Sequence, residues 1–367
     1  MKIGLLNPTV LVRPDPKILA PRLAANGHDV VFYHPKKGRG NPPKGENITV
    51  KYYPARFVPK IRYTLPTPGF YRLLRDDIPT LDRFVIGDYL YPVCSIGALL
   101  GRRFGVETTV VVSNLVGIEW FYGNRLVDAV SKLYTHSVGR VTFAAADHIV
   151  GQGEYVRDGL TRFTSDRKTS VIPTGIDLDH YAPDATTAAE FDRNDAVELV
   201  YVGRLDPVKG VHYLLAAVEK LQERGNREYH LTLVGDGTKR AAYERTAEKG
   251  GIDGDVTFAG YQDDVRPFLI AADMFVLGSL AEGPPAVIRE AQACETPVVS
   301  TNVGGVSDLV HGGVVVPPND PNALADGIEQ LAGTNLADCG RVAREFMVEN
   351  FDVESMMAEY TALIADE

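Results

Sequence analysis

The chain is predicted to be an α/β protein of two doubly wound, Rossmann-like domains facing a cleft. Three observations lead there. Short β-type runs alternate with helical patterns along the whole sequence, the pattern of parallel sheets with crossover helices. A turn-rich run, Pro173–Asp195, interrupts the series, and the same alternation starts afresh after it. Charge also divides near that point: residues 1–180 carry 24 Lys and Arg against 16 Asp and Glu, and residues 181–367 carry 14 against 32, within a net charge of −10. Halves of opposite sign suggest domains with different partners.

In the first half, strands are expected near Ile3–Leu6, Val30–Tyr33, Thr49–Tyr53, Arg83–Ile86, Thr108–Val112, His148–Val150 and Ser170–Ile172. Helical patterns cover Asp15–Asn26, closed by Gly27 as a C′ glycine, then Val93–Phe104, Arg125–Ala145 and Glu154–Arg162. In the second half, strands are expected at Glu198–Val202, His230–Val234, Val256–Phe258, Met274–Leu277, Pro297–Ser300 and Gly313–Val316. Helices are expected at Val208–Arg224, Lys239–Lys249, Val265–Ala271, Pro285–Cys294, Val306–Val310 and Asn322–Leu331. Two more, Val342–Val348 and Val353–Ile364, follow the last strand with nothing left to alternate with. The expected division is a first domain at 1–175, a linker at 176–196, a second domain at 197–350, and a C-terminal helix at 351–367 that packs back on the first domain.

Composition narrows the function. With 45% hydrophobic and 23% charged residues the chain is ordinary soluble material, not a disordered one. Cys94, Cys294 and Cys339 lie far apart, with no metal spacing, which points to a reducing compartment and a cytoplasmic location. The apolar stretch ending at Asn7-Pro8 is too short for a signal-peptide core, and no run is long enough for a membrane-spanning helix. Leu6-Asn7-Pro8-Thr9 stands where a dinucleotide fold would carry G-x-G-x-x-G, and no phosphate-binding G-x-x-x-x-G-K-[ST] occurs, so a nicotinamide dehydrogenase and a P-loop enzyme are disfavoured. From Lys36 to Arg75 there are ten Lys and Arg and one acid, Glu46, interleaved with aromatics such as Tyr52, Tyr53 and Tyr71. That mixture suits an anionic membrane surface or a phosphate-bearing acceptor, and equally a solvated loop region. Nucleic acid is not expected, since no such motif occurs and the rest of the chain is acidic.

Two constellations carry chemistry. The first is Gly203-Arg204-Leu205-Asp206-Pro207-Val208-Lys209-Gly210, leaving a strand for a helix. Asp206 and Pro207 read as N-cap and first helical residue, which puts Lys209 in the first turn, where the dipole disfavours a cation unless an anion binds there. Arg204 adds a planar fork to that point charge, a pair suited to a diphosphate. The second runs from Ser279 to Ala291. Glu282 can be read as part of a capping box with Ser279. Glu290 has small or apolar neighbours on its helix face and needs a partner or a ligand there. A helix starting near Pro284 would carry Glu290 roughly 9 Å along the axis from that start. Its N–H groups around Gly283, Pro284, Pro285 and Ala286 would face phosphate, with Gly283 and Ala286 supplying what the prolines cannot.

These segments resemble the donor site of the GT-B glycosyltransferases, in particular retaining family 4. The similarity covers about Leu199–Ala332: GRLDPVKG, LVGDG, FAGYQDD, AADMFVLGSLAEGPP, EAQACETPVVSTNVGG and VVVPPNDPNALADGI. The resemblance implies a transferase that moves a hexose-type sugar from a nucleotide-diphosphate sugar, as co-substrate and with no other cofactor and no metal. It assigns Arg204 and Lys209 to the diphosphate, Glu282 to donor-sugar hydroxyls and Glu290 to the ribose. Phe258–Gln262 would hold the base near Tyr261 and Gln262, and Gly203, Gly235 and Gly237 would let the backbone approach. The Gly304-Gly305 turn also matches, with Ser307-Asp308 where the family carries an acid. Neither Asp177-x-Asp179 nor Asp253-x-Asp255 reads as a metal site.

The first half departs from the family. Asn7–Asp15 holds no glycine where relatives have a Gly-Gly turn, and Ser113-Asn114-Leu115 stands where many carry a His. Asn114 is the candidate replacement; it can orient a hydroxyl but carries no proton at neutral pH. The segment Gly117–Gly123, with the only Trp, could stack on a sugar or pack on lipid, or be core. The expected acceptor is a lipid-linked or membrane-surface glycan, as in polysaccharide or glycolipid biosynthesis, with the protein peripheral on the membrane's inner face. The alternatives are a GT-B scaffold or partner protein without activity, and a GT-B nucleotide-sugar isomerase.

Overall fold

A computed structural model describes residues 1–9, 12, 14–36, 41–58, 63–118, 121, 125–184, 186–189, 191 and 196–365. The expected alternation is present throughout, in two compact units: residues 1–175 with the chain from Glu354 onward, and Ile176–Val353.

The first unit opens with β1 (Lys2–Leu6), α1 (Pro14–Ala25), β2 (Asp29–Pro35) and β3 (Ile48–Tyr53). It continues through β4 (Ala55–Val58), β5 (Tyr63–Pro66), α2 (Pro68–Asp77), β6 (Arg83–Ile86), α3 (Pro92–Phe104) and β7 (Glu107–Val112). Then follow α4 (Arg125–Tyr134), α5 (Arg140–Ala145), β8 (His148–Gly151), α6 (Glu154–Leu160) and β9 (Thr169–Val171). Seven parallel strands lie in the order β3-β2-β1-β6-β7-β8-β9. The central strands β1, β2 and β6 are nearly continuous apolar, buried runs, as a sheet covered on both faces requires, while the edge strands β3 and β9 are only partly buried. Phe32, Tyr33, Phe84 and Phe143 are wholly buried in this unit.

The basic, aromatic stretch is more structured than a loop reading of it. Within it β4 and β5 pair antiparallel and α2 follows. Two of its cations are matched by acids just beyond its end, Lys51 to Asp77 at 2.7 Å and Arg75 to Asp76 at 2.8 Å. Lys37, Arg39, Lys60 and Arg62 lie outside the described residues, as do Glu119, Trp120 and residues 122–124. The single helix expected over Arg125–Ala145 is α4 and α5 joined by one π turn, Thr135–Gly139.

The second unit runs β10 (Val197–Val202), α7 (Val211–Arg224), β11 (Tyr229–Val234), α8 (Arg240–Gly250), β12 (Val256–Gly260) and α9 (Arg266–Ala271). It goes on with β13 (Met274–Leu277), α10 (Ala286–Ala293), β14 (Val298–Thr301), β15 (Val314–Val316), α11 (Pro321–Ala332) and α12 (Leu336–Asn350). Six parallel strands lie in the order β12-β11-β10-β13-β14-β15. The expected helix Val306–Val310 is a single 3-10 turn, Val306–Asp308. Residues expected as a linker start inside this unit: Ile176 bridges Asp352, and Arg344 Nη1 donates to the Tyr181 carbonyl at 3.0 Å.

The last helix, α13 (Val353–Ala365), belongs to the first unit from Glu354 on. Arg22 binds Glu354 at 2.9 Å, Arg83 Nε donates to the Ile364 carbonyl at 2.8 Å, and Tyr360 is buried. No helix among the described residues is long and apolar enough to cross a membrane.

Candidate functional site

The strand order of the second unit reverses between β10 and β13: the chain builds outward from β10 to β12, then returns to place β13 on the other side. Loops leaving neighbouring strands there diverge to opposite faces and leave a crevice at the strand C-termini, where open α/β sheets hold ligands. The loop after β10 carries Gly203, Arg204 and Lys209, and the loop after β13 carries Glu282. The two constellations, more than seventy residues apart in sequence, thus meet at the switch point of one sheet.

They meet through direct bonds. Lys209 Nζ donates to Glu282 Oε1 at 2.6 Å and to Oε2 at 2.8 Å. Ser279 Oγ donates to Glu282 Oε1 at 2.5 Å, and the Leu280 N–H bonds the Val208 carbonyl at 2.8 Å. Thr301 Oγ1 holds the Ser279 carbonyl at 2.6 Å, which steadies this loop from β14. The Glu282 side chain is 9% exposed and that of Lys209 21%. An ammonium has three donors, so Lys209 can keep Glu282 and still offer one to an anion. The capping-box reading of Glu282 does not hold, because no helix starts at Ser279; its carboxylate faces Lys209 instead.

Arg204 is more open, with its side chain 52% exposed, and it pairs with Asp206. Its backbone is fixed by Tyr201, whose hydroxyl donates to the Arg204 carbonyl at 2.9 Å. Burial, with Glu282 nearby, pushes the Tyr201 phenol far above its ordinary range, so it stays a neutral donor. Asp206 does not cap as expected. Its side chain takes Arg204 and the Thr238 hydroxyl, and only a 3-10 turn, Pro207–Lys209, precedes α7. Lys209 therefore precedes α7 and does not sit in its first turn. It still lies at the positive end of α7, next to the N-cap Gly210, and the Glu282 carboxylate meets its charge there.

The neighbouring loops approach by backbone. The Gly203 N–H bonds the Val234 carbonyl at 2.9 Å and the Gly235 N–H bonds the Gly260 carbonyl at 2.7 Å. Gly235 has φ +137°, and a Cβ there would lie 1.9 Å from the Gly203 carbonyl oxygen; at Gly237 a Cβ would meet the Leu205 backbone at 2.6 Å. Only glycine permits this weave. Tyr261 follows β12 and is exposed, while Gln262 turns back to donate to the Ala259 carbonyl at 2.9 Å.

α10 starts at Ala286, with Pro285 in the N-cap position, so Gly283, Pro284 and Pro285 form the extended approach to it. The Ile288 N–H bonds the Pro285 carbonyl at 3.2 Å. Ala286 and Val287 thus head the helix, where N–H groups favour an anion. The later start shortens the axial advance to Glu290 to about 6 Å. Burial holds the Glu290 carboxyl above its ordinary range, opposed by Arg289 and by a hydrogen bond from the Tyr181 phenol. Tyr181 comes from the stretch read as linker and is held there by Arg344, while Arg266 Nη1 reaches the neighbouring His180 carbonyl at 3.2 Å. Ser279, Tyr181, Tyr201 and Asp206 complete the site without having been singled out as members of it. Ser279 had a sequence signal, its offset from Glu282; Tyr181 had none.

In the first unit, Asn114 is half-buried just beyond β7. Its neighbour Ser113 presents its carbonyl to the Tyr155 hydroxyl at 3.1 Å. The loop after β1 is held by side chains. Asn7, fully buried, places Nδ2 3.0 Å from His34 Nδ1 and 2.7 Å from the Thr9 carbonyl, and Tyr53 donates to the Asn7 carbonyl at 3.0 Å. Burial lowers the His34 pKa and keeps that ring neutral. Among the described residues no group of three or more His, Cys, Asp or Glu is placed to hold a metal ion.

The model of the Glycosyltransferase Family 4 domain matches residues 17–180, and that of Glycosyl transferases group 1 matches residues 196–334. A lipopolysaccharide core biosynthesis glycosyltransferase, LpsE of Rhizobium meliloti, is 37% identical over 179 residues, covering 47% of this chain and 50% of LpsE. A D-inositol 3-phosphate glycosyltransferase of Geodermatophilus obscurus is 33% identical over 240 residues, 60% of this chain and 53% of that protein. The chain spans about half the length of the curated relatives it matches. Among solved structures, Anabaena HepE in complex with UDP has the same fold, with a TM-score of 0.77 at 17% identity and complete coverage of both chains. With one family domain matched in each unit and the GT-B fold over the whole chain, the protein belongs to the family 4, group 1 glycosyltransferases.

Proposed function

We propose that the protein transfers a hexose-type sugar from a nucleotide-diphosphate sugar to a glycan or lipid-linked acceptor, with retention of anomeric configuration. The observation that carries this reading is the Lys209–Glu282–Ser279 cluster at the switch point, beside Arg204 and the start of α10. Relatives named for lipopolysaccharide core and inositol phosphate glycosylation, and a structural neighbour solved with UDP-glucose, support the substrate class.

In this reading the donor diphosphate binds the third donor of Lys209, the Arg204 fork and the N–H groups of Ala286 and Val287. Charge grows on the leaving diphosphate as the glycosidic bond breaks, and donors already aimed at it lower that barrier. Glu282 accepts hydroxyls of the sugar and Glu290 those of the ribose. The base lies along Phe258–Gln262. The acceptor oxygen bonds to the anomeric carbon on the face the diphosphate leaves, and its proton passes to a diphosphate oxygen. No ionisable base is needed, which fits an Asn at position 114 whose role is to orient the acceptor. The two cations and the helix N–H groups carry the charge, so the scheme invokes no metal.

The test is a transfer assay with UDP-, GDP- and ADP-glucose on a polyprenyl-linked glycan, reading the product's anomeric coupling by NMR. A product with the donor's configuration is expected. An inverted product, or isomerisation of the donor without transfer, would overturn the reading.

A further inference from the structure

The first unit carries an apolar face that its own core does not use. α4 has no buried residue. Leu126, Val130 and Leu133, at helical spacings of four and three, are 75%, 59% and 69% exposed, and Val141 on α5 is 46% exposed. Single exposed apolar side chains need no explanation, but a contiguous row does. A surface helix of a globular protein turns such a row inward. Here it faces solvent.

Charge says what would cover it. Over residues 125–145 the exposed cations are Arg125, Lys132 and Arg140, with one acid, Asp128. At the foot of α4 lies a cavity of about 340 Å³ lined by Lys132, His136, Arg162 and Asp128 together with the apolar Ile118 and Phe121. Arg102 Nη1 donates to the Ala144 carbonyl at 3.0 Å and adds a further cation at the end of α5. The helix is set firmly. Gly117, with φ +71°, leaves room that a Cβ would fill, 2.4 Å from the Lys132 backbone nitrogen. An apolar row with cations beside it is the pattern of a helix lying in a lipid headgroup layer. A two-fold dimer through the same face would gather both copies' cations into one interface, with one acid per chain to offset them.

We propose that α4 and α5 dock this protein on an anionic phospholipid surface. Leu126, Val130 and Leu133 enter the boundary between headgroups and acyl chains. Arg125, Lys132 and Arg140 meet lipid phosphates, and the cavity at Lys132, His136 and Arg162 receives one headgroup phosphate. The proposal deepens the lipid-linked acceptor reading by naming the surface that meets the lipid. The turn that seats α4 follows directly on Ser113 and Asn114, so docking would bring the lipid to the acceptor-side loop. It also moves the membrane contact away from the Lys36–Arg75 stretch, where Lys51 and Arg75 already have acidic partners.

The test is co-sedimentation with vesicles of phosphatidylcholine alone, or mixed with phosphatidylglycerol, without donor. The wild-type chain is expected to sediment with the mixed vesicles and to be released by salt. The triple variant Leu126→Ser, Val130→Ser, Leu133→Ser should lose at least about tenfold in bound fraction. Arg125→Glu with Lys132→Glu should do the same, while Lys51→Glu with Arg72→Glu should bind as wild type. A thermal shift by the wild-type chain's preferred nucleotide sugar reports that each variant is folded, and it also shows whether donor binding fails independently of lipid binding. No sedimentation at low salt, or undiminished binding by the serine variant, would overturn the proposal. So would a wild-type dimer in solution that the serine substitutions dissociate.

Discussion

The two units share a parallel, doubly wound plan, yet they finish their switch points differently. In the second unit the loops after β10, β11 and β12 touch through glycine backbones, and an ion pair ties the loop after β10 to that after β13. In the first unit the loop after β1 has no glycine among Asn7–Asp15, and the buried side chains of Asn7, His34 and Tyr53 hold it. Glycine brings these loops together by backbone alone, the Gly203 and Gly235 N–H groups bonding neighbouring carbonyls, and puts no side chain into the crevice. A side-chain network instead fills that space and spends its donors internally. Under the proposed function, the contrast puts the nucleotide against the second unit and leaves the first unit to vary with its acceptor.

The strongest challenge to that division is removal of a cation. Arg204→Ala or Lys209→Ala should reduce turnover by on the order of 10²-fold or more, the scale seen when a group stabilising developing charge is lost. The two should differ in stability. Arg204 is half exposed, so its loss should barely move Tm. Lys209→Ala leaves the Glu282 carboxylate nearly buried with Ser279 as its remaining partner, and calorimetry should show a clear drop in Tm. Equal Tm values would mean the Lys209–Glu282 pair is not formed in solution.

Glu290→Gln sharpens the comparison from within the second unit. It should weaken nucleotide affinity by about 1.5–3 kcal/mol, as for a lost charge-assisted acceptor, measured by titration calorimetry. In the first unit, Asn7→Ala should cost about 1–3 kcal/mol of stability, because His34 and Thr9 lose a buried partner, while nucleotide affinity stays unchanged. A change in nucleotide affinity there would break the division of labour. Asn114→Ala should lower turnover several-fold, the equivalent of about 0.5–1.5 kcal/mol for one hydrogen bond, with no effect on nucleotide binding.

The smallest expected effect is a pH dependence. Burial raises the Glu290 pKa in the folded chain, so ionising it opposes folding. Its contribution to stability is therefore complete below the ordinary carboxylate range and is lost as pH rises through the raised value. Without nucleotide, Glu290→Gln should match wild type in acid and exceed its Tm near neutral pH. A variant less stable than wild type at neutral pH would show that the bond from Tyr181 outweighs burial.

What the sequence revealed and what it hid follow from the range of each interaction. Strands such as Met274–Leu277 and the helix closed by Gly27 are set by local pattern and punctuation, and they were legible. The resemblance gave Lys209 and Glu282 to one site, and the structure brings them into contact. It also gave Gly203, Gly235 and Gly237 close backbone approach, which they have, while the roles of these residues toward a donor belong to the proposed function. The antiparallel pair β4–β5 and α2 were hidden under a run of cations and prolines that reads as loop. The start of α7 was misplaced because Asp206-Pro207 is a good helix opening by local rules, yet Asp206 bonds Arg204 and Thr238 instead. Tyr181 reaches Glu290 from a turn-rich segment more than a hundred residues earlier, and only the tertiary fold joins them. The outward row on α4 was visible as helix but not as exposure, since periodicity marks an apolar face without saying what covers it.

The central claim is that the switch point of the second unit is a nucleotide-sugar site. The most direct measurement is the melting temperature of the wild-type chain, of Lys209→Ala and of Glu290→Gln, each with saturating UDP-, GDP- or ADP-glucose and with the bare nucleotides. A ligand that binds only the folded state must raise Tm. The expected result is that one base family raises the wild-type Tm and that both variants respond less at equal ligand concentration. If none of the three shifts the wild-type Tm, or if both variants respond as the wild type does, the site is not where the nucleotide binds.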